Sequence, residues 1–259
     1  MIHPFDSDTA LEPTGAGRWR ASVSEHWFVE SGPNGGFIAA LAARAMGDLA
    51  GPDRPPRLLT LHYLAPPRAG PIVLEAGVER AGRSTTFVSL RLRQDDRTVA
   101  LGLGCSAVWR DDQPAWDALE RPGVPPPGEV APLAHIEGTP RFLANYELRP
   151  LDAPRVGGWI RTARPRAADP ILFAALTDAW VPSAFPKLEH PSFVPTIDLT
   201  IHWRAPADAA PGEHPFVLGL FSTRLGAGGV WEEDGELWSE DGVLLAQSRQ
   251  LAMVRGPRA

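Results

Sequence analysis

The sequence predicts an α+β protein built from two similar halves, in each of which an antiparallel sheet wraps around one central helix. The main observation is an internal repeat: residues 59–66 return as residues 199–206, with five of eight positions identical. A second pair of segments, 34–41 and 169–176, aligns at an offset of 135 residues. A repeat of this size predicts that both halves have the same strands and helix, because each half must bury the same face.

One helix is expected in each half, over Asn34 to Gly47 and over Asp169 to Trp180. Asn34 and Asp169 are side chains that favour the N-cap position, where they accept a hydrogen bond from the first helical turn. Pro170 suits the first helical position, because its missing N–H has no partner there in any case. Both helices therefore have a clear start signal in the sequence.

Strands are expected where β-branched and apolar residues run between turn residues. The principal strands are predicted over 58–64, 72–80, 85–94 and 98–109 in the first half, and over 196–204, 216–224, 230–239 and 243–254 in the second. Preceding strands are predicted over 17–24, 146–151 and 159–164. A proline-rich stretch between the halves is typical of a linker and divides the chain into 1–110, 111–138 and 139–259.

Composition excludes several classes of protein. An apolar fraction of 44% with 22% charged residues is ordinary for a globular protein, and no apolar run reaches the ~20 residues that span a bilayer. The N-terminus has neither a basic start nor an apolar stretch, so cytoplasm is the expected location. A single cysteine, Cys105, excludes an internal disulfide. The net charge of −6 argues against general nucleic-acid binding.

Several stretches of the chain carry a family resemblance, namely 33–37 and 82–86 in the first half and 174–180, 195–206 and 244–250 in the second. They resemble the acyl-CoA thioesterase II-like family of double-hotdog proteins, over nearly the whole chain except the linker. The resemblance implies a double hotdog fold, an acyl-CoA substrate, and hydrolysis of the thioester to a free acid and coenzyme A. It implies neither a metal nor a cofactor.

The family holds its attacking water with an Asp, a Thr and a Gln, which match Asp178, Thr196 and Gln250 in this sequence. Asp178 lies four residues after Ala174, so it is expected to project from the apolar stripe of the second helix. Loss of hydration there would raise the pKa of its carboxyl group, and hydrogen bonds from the other two side chains would lower it.

The repeat favours a functional role for these three residues. At the equivalent positions the first half has Ala43, Pro56 and Gly104, which have no such chemistry. A residue needed only for folding would tend to be kept in both copies, whereas a single site per chain requires it in one half only. His62 and His202 are kept in both copies, and we interpret them as structural.

The strand that contains Thr196 is also expected to present a polar face. Asp198, Thr200 and His202 have the same parity along the strand, and side chains on a strand alternate between its faces. All four are therefore predicted to lie on one side of the sheet. That side is the one expected to border the site.

Hydrolysis also needs hydrogen-bond donors aimed at the thioester oxygen. Gly35 and Gly36 follow the cap of the first helix and have no side chain to block a substrate, so their backbone N–H groups are the predicted oxyanion donors. The first half would then supply donors and the second half the water. Five arginines are candidates for binding the coenzyme A phosphates: Arg80, Arg83, Arg161, Arg164 and Arg166.

Two other functions remain open at this point. One is a non-catalytic acyl-CoA or acyl-chain binding protein, and the other is a hotdog hydratase acting on enoyl thioesters, for which an Asp and a His would normally cooperate. Covalent catalysis through an anhydride on Asp178 is a further alternative for the mechanism. Self-association through the sheets is also expected, with Trp203, Trp231 and Trp238 on the strands concerned.

Overall fold

The computed structural model describes residues 2–30, 32–134, 138–188 and 194–254. These residues form three α helices, α1 (Pro4–Asp8), α2 (Gly35–Ala50) and α3 (Pro170–Leu176). The strands are β1 (Glu12–Gly15), β2 (Arg18–Val23), β3 (Pro56–Tyr63), β4 (Gly70–Ala81), β5 (Thr85–Gln94), β6 (Arg97–Ala107), β7 (Tyr146–Pro150), β8 (Val156–Thr162), β9 (Thr196–Trp203), β10 (Val217–Ser222), β11 (Gly226–Ala227), β12 (Val230–Ser239) and β13 (Leu244–Met253). Within the described ranges, no helix has the length and apolar character needed to cross a membrane.

The strands of both halves join into one continuous antiparallel sheet. Its order is β1-β2-β4-β5-β6-β3-β9-β13-β12-β10-β8-β7, and β11 pairs with β12. The first half of the chain supplies β1 to β6, which form one side of the sheet, and the second half supplies β7 to β13, which form the other side. The predicted double hotdog is therefore confirmed, with the two half-sheets joined edge to edge through β3 and β9.

The pairing of β3 with β9 relates the two halves of the repeat by a local twofold axis. Thr60 and Thr200, which are equivalent in the repeat, lie directly opposite each other, and their hydroxyl oxygens are 3.0 Å apart. Leu58 pairs with His202, and His62 pairs with Asp198, so each of these pairs lies two residues from the central pair of threonines. A local twofold axis therefore passes between the two threonines, and each half meets the other through the same strand.

The two central helices differ in length. The first runs past the predicted Gly47 to Ala50, where Gly51 ends it at a φ of 82°. The second ends at Leu176, so the prediction that it extends to Trp180 was wrong. The C-cap residue is Thr177, whose hydroxyl donates to the carbonyl oxygen of Ala174 at 2.8 Å. This local hydrogen bond competes with helix continuation.

The core lies between α2 and the strands around it. Leu59 and Leu61 on β3 and Leu74 on β4 are fully buried, while the alternating residues on these strands face outward. Five alanines of α2 are also buried, each at most 1% exposed: Ala39, Ala40, Ala42, Ala43 and Ala45. Small side chains allow the helix to approach the sheet closely. The start of α2 is fixed by Trp27, whose ring stacks on Phe37 at a centroid distance of 5.1 Å.

The proline-rich segment after β6 packs against the second half of the chain. Val124 and Val130 contact a buried cluster that includes Trp238, Trp159 and Leu218. The indole nitrogen of Trp159 donates to the carbonyl oxygen of Pro125 at 2.9 Å. This part of the predicted linker therefore covers one face of the second half-sheet. The domain limits at 110 and 138 stay a prediction, and residues 135–137 lie outside the described ranges.

The tryptophans expected to support self-association are buried inside the chain. Trp203, Trp231 and Trp238 are each at most 3% exposed. Trp203 belongs to the main core, and its indole nitrogen donates to the carbonyl oxygen of Pro170 at 2.9 Å. The proposed role of these three side chains in a subunit interface was wrong, because neighbouring elements of the same chain already cover them.

Candidate active site

Asp178 lies two residues beyond the end of α3 and faces the N-terminus of α2 in the other half. Its Oδ2 atom accepts hydrogen bonds from the Asn34 side-chain amide at 2.9 Å and from the Gly36 backbone N–H at 3.1 Å. Asn34 Nδ2 also donates to the backbone oxygen of Asp178 at 2.5 Å. The predicted position on a helical stripe was wrong, because the helix ends before Asp178. The carboxylate instead meets the positive end of the opposite helix.

Thr196 and Gln250 lie beside Asp178, but the predicted hydrogen bond from Thr196 to the Asp178 carboxyl was wrong, because the Thr196 hydroxyl donates to Gln250. The Gln250 side-chain nitrogen lies 3.5 Å from Asp178 Oδ1, and the Thr196 hydroxyl donates to Gln250 Oε1 at 3.0 Å. The amide of Gln250 thus links the carboxylate to the hydroxyl. Gln250 is 6% exposed, so these hydrogen bonds form in a largely dry environment.

A bulge explains why Thr196 points into the site. In the pairing of β9 with β13, Thr196 is opposite Ala252, but Asp198 is opposite the next residue, Leu251. The extra residue Ile197 reverses the parity of the strand, so Thr196 lies on the inner side with buried Ala252, and Asp198 lies with exposed Leu251. The prediction that Thr196 shares a face with Asp198, Thr200 and His202 was therefore wrong.

Glu233 is a second buried carboxylate beside the first. It lies on β12 directly opposite Gln250 and is only 5% exposed. Its Oε1 atom accepts from Gln250 Nε2 at 2.6 Å, and its Oε2 atom accepts from the backbone N–H of Ser183 at 2.6 Å. The Ser183 hydroxyl is in turn 2.6 Å from the Thr223 hydroxyl. Gln250 therefore donates to two carboxylates at once.

The electrostatics of the site favour proton transfer near neutral pH. Burial and then the nearby Glu233 raise the pKa of Asp178 to about 7, against the lowering effect of hydrogen bonds from Gly36, Gln250 and Gly35. Burial also raises the pKa of Glu233 above its ordinary value, although Ser183 and Gln250 donate to it. A carboxyl group that ionises close to pH 7 is well matched to the role of a general base.

The hydrogen-bond donors predicted for the substrate contact Asp178 in this structure. The Gly36 N–H donates to its carboxylate, and a methyl group at Gly35 would lie 2.9 Å from Asp178 Oδ2. The carbonyl of Gly35 accepts a hydrogen bond from the Tyr63 hydroxyl at 2.8 Å. The two glycines therefore lie at the site, where their lack of side chains leaves room for the carboxylate.

The equivalent place in the first half is filled with apolar atoms. Val88 is opposite Gly104 on the paired strands, in the same relation as Glu233 to Gln250. A side chain at Gly104 would collide with the sulfur of Met46, which lies in the part of α2 that α3 lacks. Ala43 stands where the second half has Asp178 and is buried. The longer first helix thus occupies the space that holds the polar cluster in the second half.

The candidate phosphate-binding arginines fall into two groups. Arg161 pairs with Glu147 at 2.6 Å, and Arg166 is held by Asp6 at 2.8 Å and by Asp169 at 2.6 Å. These two guanidinium groups have structural partners within the chain. The other three are exposed: Arg80, Arg83 and Arg164. A role for any of the five in binding phosphate stays a prediction, and the geometry favours the exposed three.

Three polar residues of the site have roles that the sequence analysis missed. Asn34 was identified only as a helix cap, and Glu233 and Tyr146 were not identified at all. Glu233 had a detectable signal, since it shares strand parity with the buried Trp231 and Leu237. A carboxylate on an apolar face needs partners, which is typical of functional sites. Tyr146 gave no such signal. Burial and Asp178 raise the pKa of its hydroxyl, which lacks a hydrogen-bond partner among the described residues.

Both halves of the chain match models of one protein family. The acyl-CoA thioesterase N-terminal domain matches residues 23–107, and the acyl-CoA thioesterase C-terminal domain matches residues 110–254. An uncharacterized protein of Mycobacterium tuberculosis is 27% identical over 98% of this chain and 96% of its own.

Solved structures with the same architecture include a hot dog protein of unknown function from Alicyclobacillus acidocaldarius. It is 28% identical, covers 100% of both chains and superposes with a TM-score of 0.90. Acyl-CoA thioesterase II TesB2 from Mycobacterium marinum superposes with a TM-score of 0.77, over 98% of both chains. Its identity of 19% makes it evidence for the fold alone.

Proposed function

Because the chain belongs to the acyl-CoA thioesterase family, we propose that it hydrolyses acyl-CoA thioesters with a water molecule held by Asp178, Thr196 and Gln250. The observation that carries this proposal is the polar cluster at the junction of the two halves. A carboxylate with a pKa near 7 lies beside an amide and a hydroxyl, in the half that matches the family's C-terminal domain. These are the groups needed to hold and deprotonate water.

The proposed reaction is a general-base hydrolysis. A water hydrogen-bonded to the Asp178 carboxylate attacks the thioester carbon while the carboxylate takes its proton. The tetrahedral intermediate then collapses with cleavage of the carbon–sulfur bond, and the departing thiolate receives the proton from Asp178. The products are the free acid and coenzyme A, and the carboxylate returns to its starting state.

The glycines at the start of α2 have a double role in this proposal. Before substrate enters, the Gly36 N–H donates to Asp178 Oδ2. When substrate binds, the thioester oxygen replaces Asp178 as the acceptor of the Gly35 and Gly36 N–H groups, which stabilise the charge that develops on that oxygen. Asp178 thereby loses a donor that favours its ionised form and becomes a stronger base. The two halves of the chain then act on the same substrate.

Release of free thiol from a panel of acyl-CoA esters tests the reaction directly. The panel contains short, long, branched and aromatic acyl groups, and an enzyme blank corrects for the single cysteine of the chain. We expect multiple turnovers with at least one ester. Tight binding without thiol release would support the binding-protein alternative, and addition of water to an enoyl-CoA without release of thiol would support the hydratase.

The pH dependence of kcat/KM is expected to follow the ionisation of Asp178 in the free enzyme. A general base acts as the carboxylate, so kcat/KM is expected to fall as the pH drops through the pKa of about 7, by roughly tenfold per pH unit below it. A pH profile of kcat/KM for one accepted ester between pH 5 and 9 measures this midpoint. An acidic limb centred near pH 4, typical of an ordinary aspartate, would contradict a base in this environment.

Self-association is retained as a proposal, but through a different surface. The outer face of the first half-sheet carries Phe87 and Leu103, which is 64% exposed, and a shallow groove of about 650 Å³ that includes Thr60 and His62. The residues that line the groove do not include Asp178, Thr196, Gln250 or Glu233. Exposed apolar side chains such as Phe87 and Leu103 on a sheet face favour association with a second sheet. Sedimentation at micromolar concentration is expected to show a species larger than the monomer.

A further inference from the structure

We propose that Glu233 is a positioning residue of this active site, whose carboxylate fixes the amide of Gln250 between Asp178 and Thr196. The inference rests on the proposed function, because it assigns a role toward the same reaction. Glu233 itself does not touch the water or the thioester in this account. It acts through Gln250 and through its charge beside Asp178.

The geometry determines which way the Gln250 amide faces. Glu233 Oε1 is 2.6 Å from Gln250 Nε2, a short distance typical of a hydrogen bond to a charged acceptor. A carboxylate at this place accepts only an N–H donor, so the oxygen of the amide must face away from Glu233. That oxygen meets the Thr196 hydroxyl at 3.0 Å, and the second amide hydrogen is directed toward Asp178. Without Glu233 the amide is no longer held in one orientation.

Glu233 is also rigidly held from its other side. Its second oxygen accepts from the Ser183 backbone N–H at 2.6 Å, and β12 places it opposite Gln250 in the strand register. Hydrogen bonds from N–H groups reach both oxygens and favour the ionised form, but burial is the larger effect and raises the pKa of Glu233 above its ordinary value. When Glu233 is ionised, its charge makes ionisation of Asp178 harder. The first half shows the alternative, because Val88 and Gly104 fill the equivalent pair of positions with apolar groups.

The substitution Glu233→Gln tests the inference, because it keeps the size of the side chain and removes the charge. An amide has one acceptor oxygen, whereas Gln250 and Ser183 both donate to this position, so one of the two hydrogen bonds is lost. We expect kcat to fall by about tenfold or more with KM little changed, as for a misplaced catalytic group. The acidic limb of the pH profile is expected to move down by about one pH unit.

The pH readout depends on the groups that surround Asp178. These are Glu233 on β12, Tyr63 on β3 and Tyr146 on β7, and Glu232 lies next to Glu233. The tyrosine hydroxyls have pKa values raised above their ordinary range, so they remain neutral between pH 5 and 9. Glu236→Gln is the matched control, since Glu236 lies on the same strand and pairs with Arg155 at 2.7 Å. It is expected to leave kcat and the pH profile unchanged.

An exchange variant separates positioning from folding. In Glu233→Gln/Gln250→Glu, the amide at position 233 accepts from Ser183 and donates to the carboxylate at position 250, which also accepts from Thr196. All hydrogen bonds of the pair are restored, but Asp178 now faces a carboxylate in place of a donor. We expect thermal stability near that of the wild type below pH 7, where Asp178 is protonated and can donate to the carboxylate at position 250, and kcat at or below that of Glu233→Gln. Recovery of wild-type kcat would contradict the inference.

The outcomes distinguish this inference from the function on which it rests. If Asp178→Asn abolishes turnover while Glu233→Gln keeps the wild-type kcat and pH profile, the role of Glu233 is wrong and the thioesterase proposal stands. If the wild-type protein has no turnover, a carbon-13 NMR titration of the Asp178 carboxyl still tests the charge effect. Its midpoint is expected to fall in Glu233→Gln, and an unchanged midpoint would overturn the inference.

Discussion

Asp178→Asn is expected to lower kcat for an accepted acyl-CoA by about 10²-fold or more, while the fold and the binding of the ester are kept. The asparagine has nearly the same shape but does not take a proton from water, and a positioned base contributes at least this factor. Thr196→Ala and Gln250→Ala are each expected to cost less, because they orient the water without accepting its proton. Rates of thiol release by the purified variants measure these effects.

The three residues are expected to act as one unit. The double variant Asp178→Asn/Gln250→Ala should be little slower than Asp178→Asn alone, since the second change removes a group whose partner has already lost its role. Asp208→Asn, at an exposed carboxylate after β9, is the matched control and should be neutral. A folded Asp178→Asn protein with wild-type kcat would exclude Asp178 as the base.

Loss of the Asp178 charge is not expected to lower stability at neutral pH. The pKa is raised from 3.8 in the unfolded chain to about 7 in the folded protein, so the folded state binds a proton that the unfolded state releases. Stability from this group is present at low pH and is lost as the pH rises through that interval. Thermal melting of Asp178→Asn should therefore match or exceed that of the wild type at pH 8, which separates a loss of rate from a loss of fold.

Gly36→Ala is expected to have the largest effect on stability among the glycines at the site. A methyl group there would collide with the carbonyl oxygen of Ala175 in α3, which is a backbone atom and cannot rotate aside. The added volume is expected to cost about 1–3 kcal/mol in free energy of unfolding, as for an overpacked core. A lower Tm, together with reduced kcat because the two halves are pushed apart, is the expected result.

Gly47→Ala provides a control in the same helix. A methyl group at position 47 would extend into open space, so alanine is expected to stabilise α2 by about 0.5–1 kcal/mol through its higher helix propensity. Gly35→Ala is intermediate, because its methyl group would lie 2.9 Å from the Asp178 side chain and 3.4 Å from Tyr63. It should affect kcat more than stability. Equal melting temperatures for Gly36→Ala and Gly47→Ala would show that the junction tolerates a side chain.

The repeat in the sequence was sufficient to predict the architecture. Residues 59–63 and 199–203 of the repeated segments lie on the two strands that join the halves, so the segments that revealed the duplication also contain the residues around its symmetry axis. Strand alternation and turn residues placed most strands within a few residues of their observed limits. Short β1 and β11 and the N-terminal helix α1 were not predicted, because four, two and five residues hold too little periodic pattern.

The details of the site depended on features that single-sequence patterns do not encode. The end of α3 at Leu176 is accompanied by a local hydrogen bond of Thr177, and the orientation of Thr196 is set by a bulge at Ile197 that reverses strand parity. Two observations nevertheless identified Asp178, Thr196 and Gln250 from the sequence. One was the resemblance to a family, and the other was that the first half has different residue types at the three equivalent positions. Glu233 required the strand register, because its importance comes from lying opposite Gln250.

Single-turnover hydrolysis in water enriched with oxygen-18 tests most directly whether a water held by Asp178 attacks the thioester. With enzyme in excess over one accepted acyl-CoA, the account predicts one labelled oxygen in the released acid and no label in the peptide that contains Asp178. Label in the Asp178 carboxyl group after one turnover would indicate an anhydride intermediate and would contradict the account.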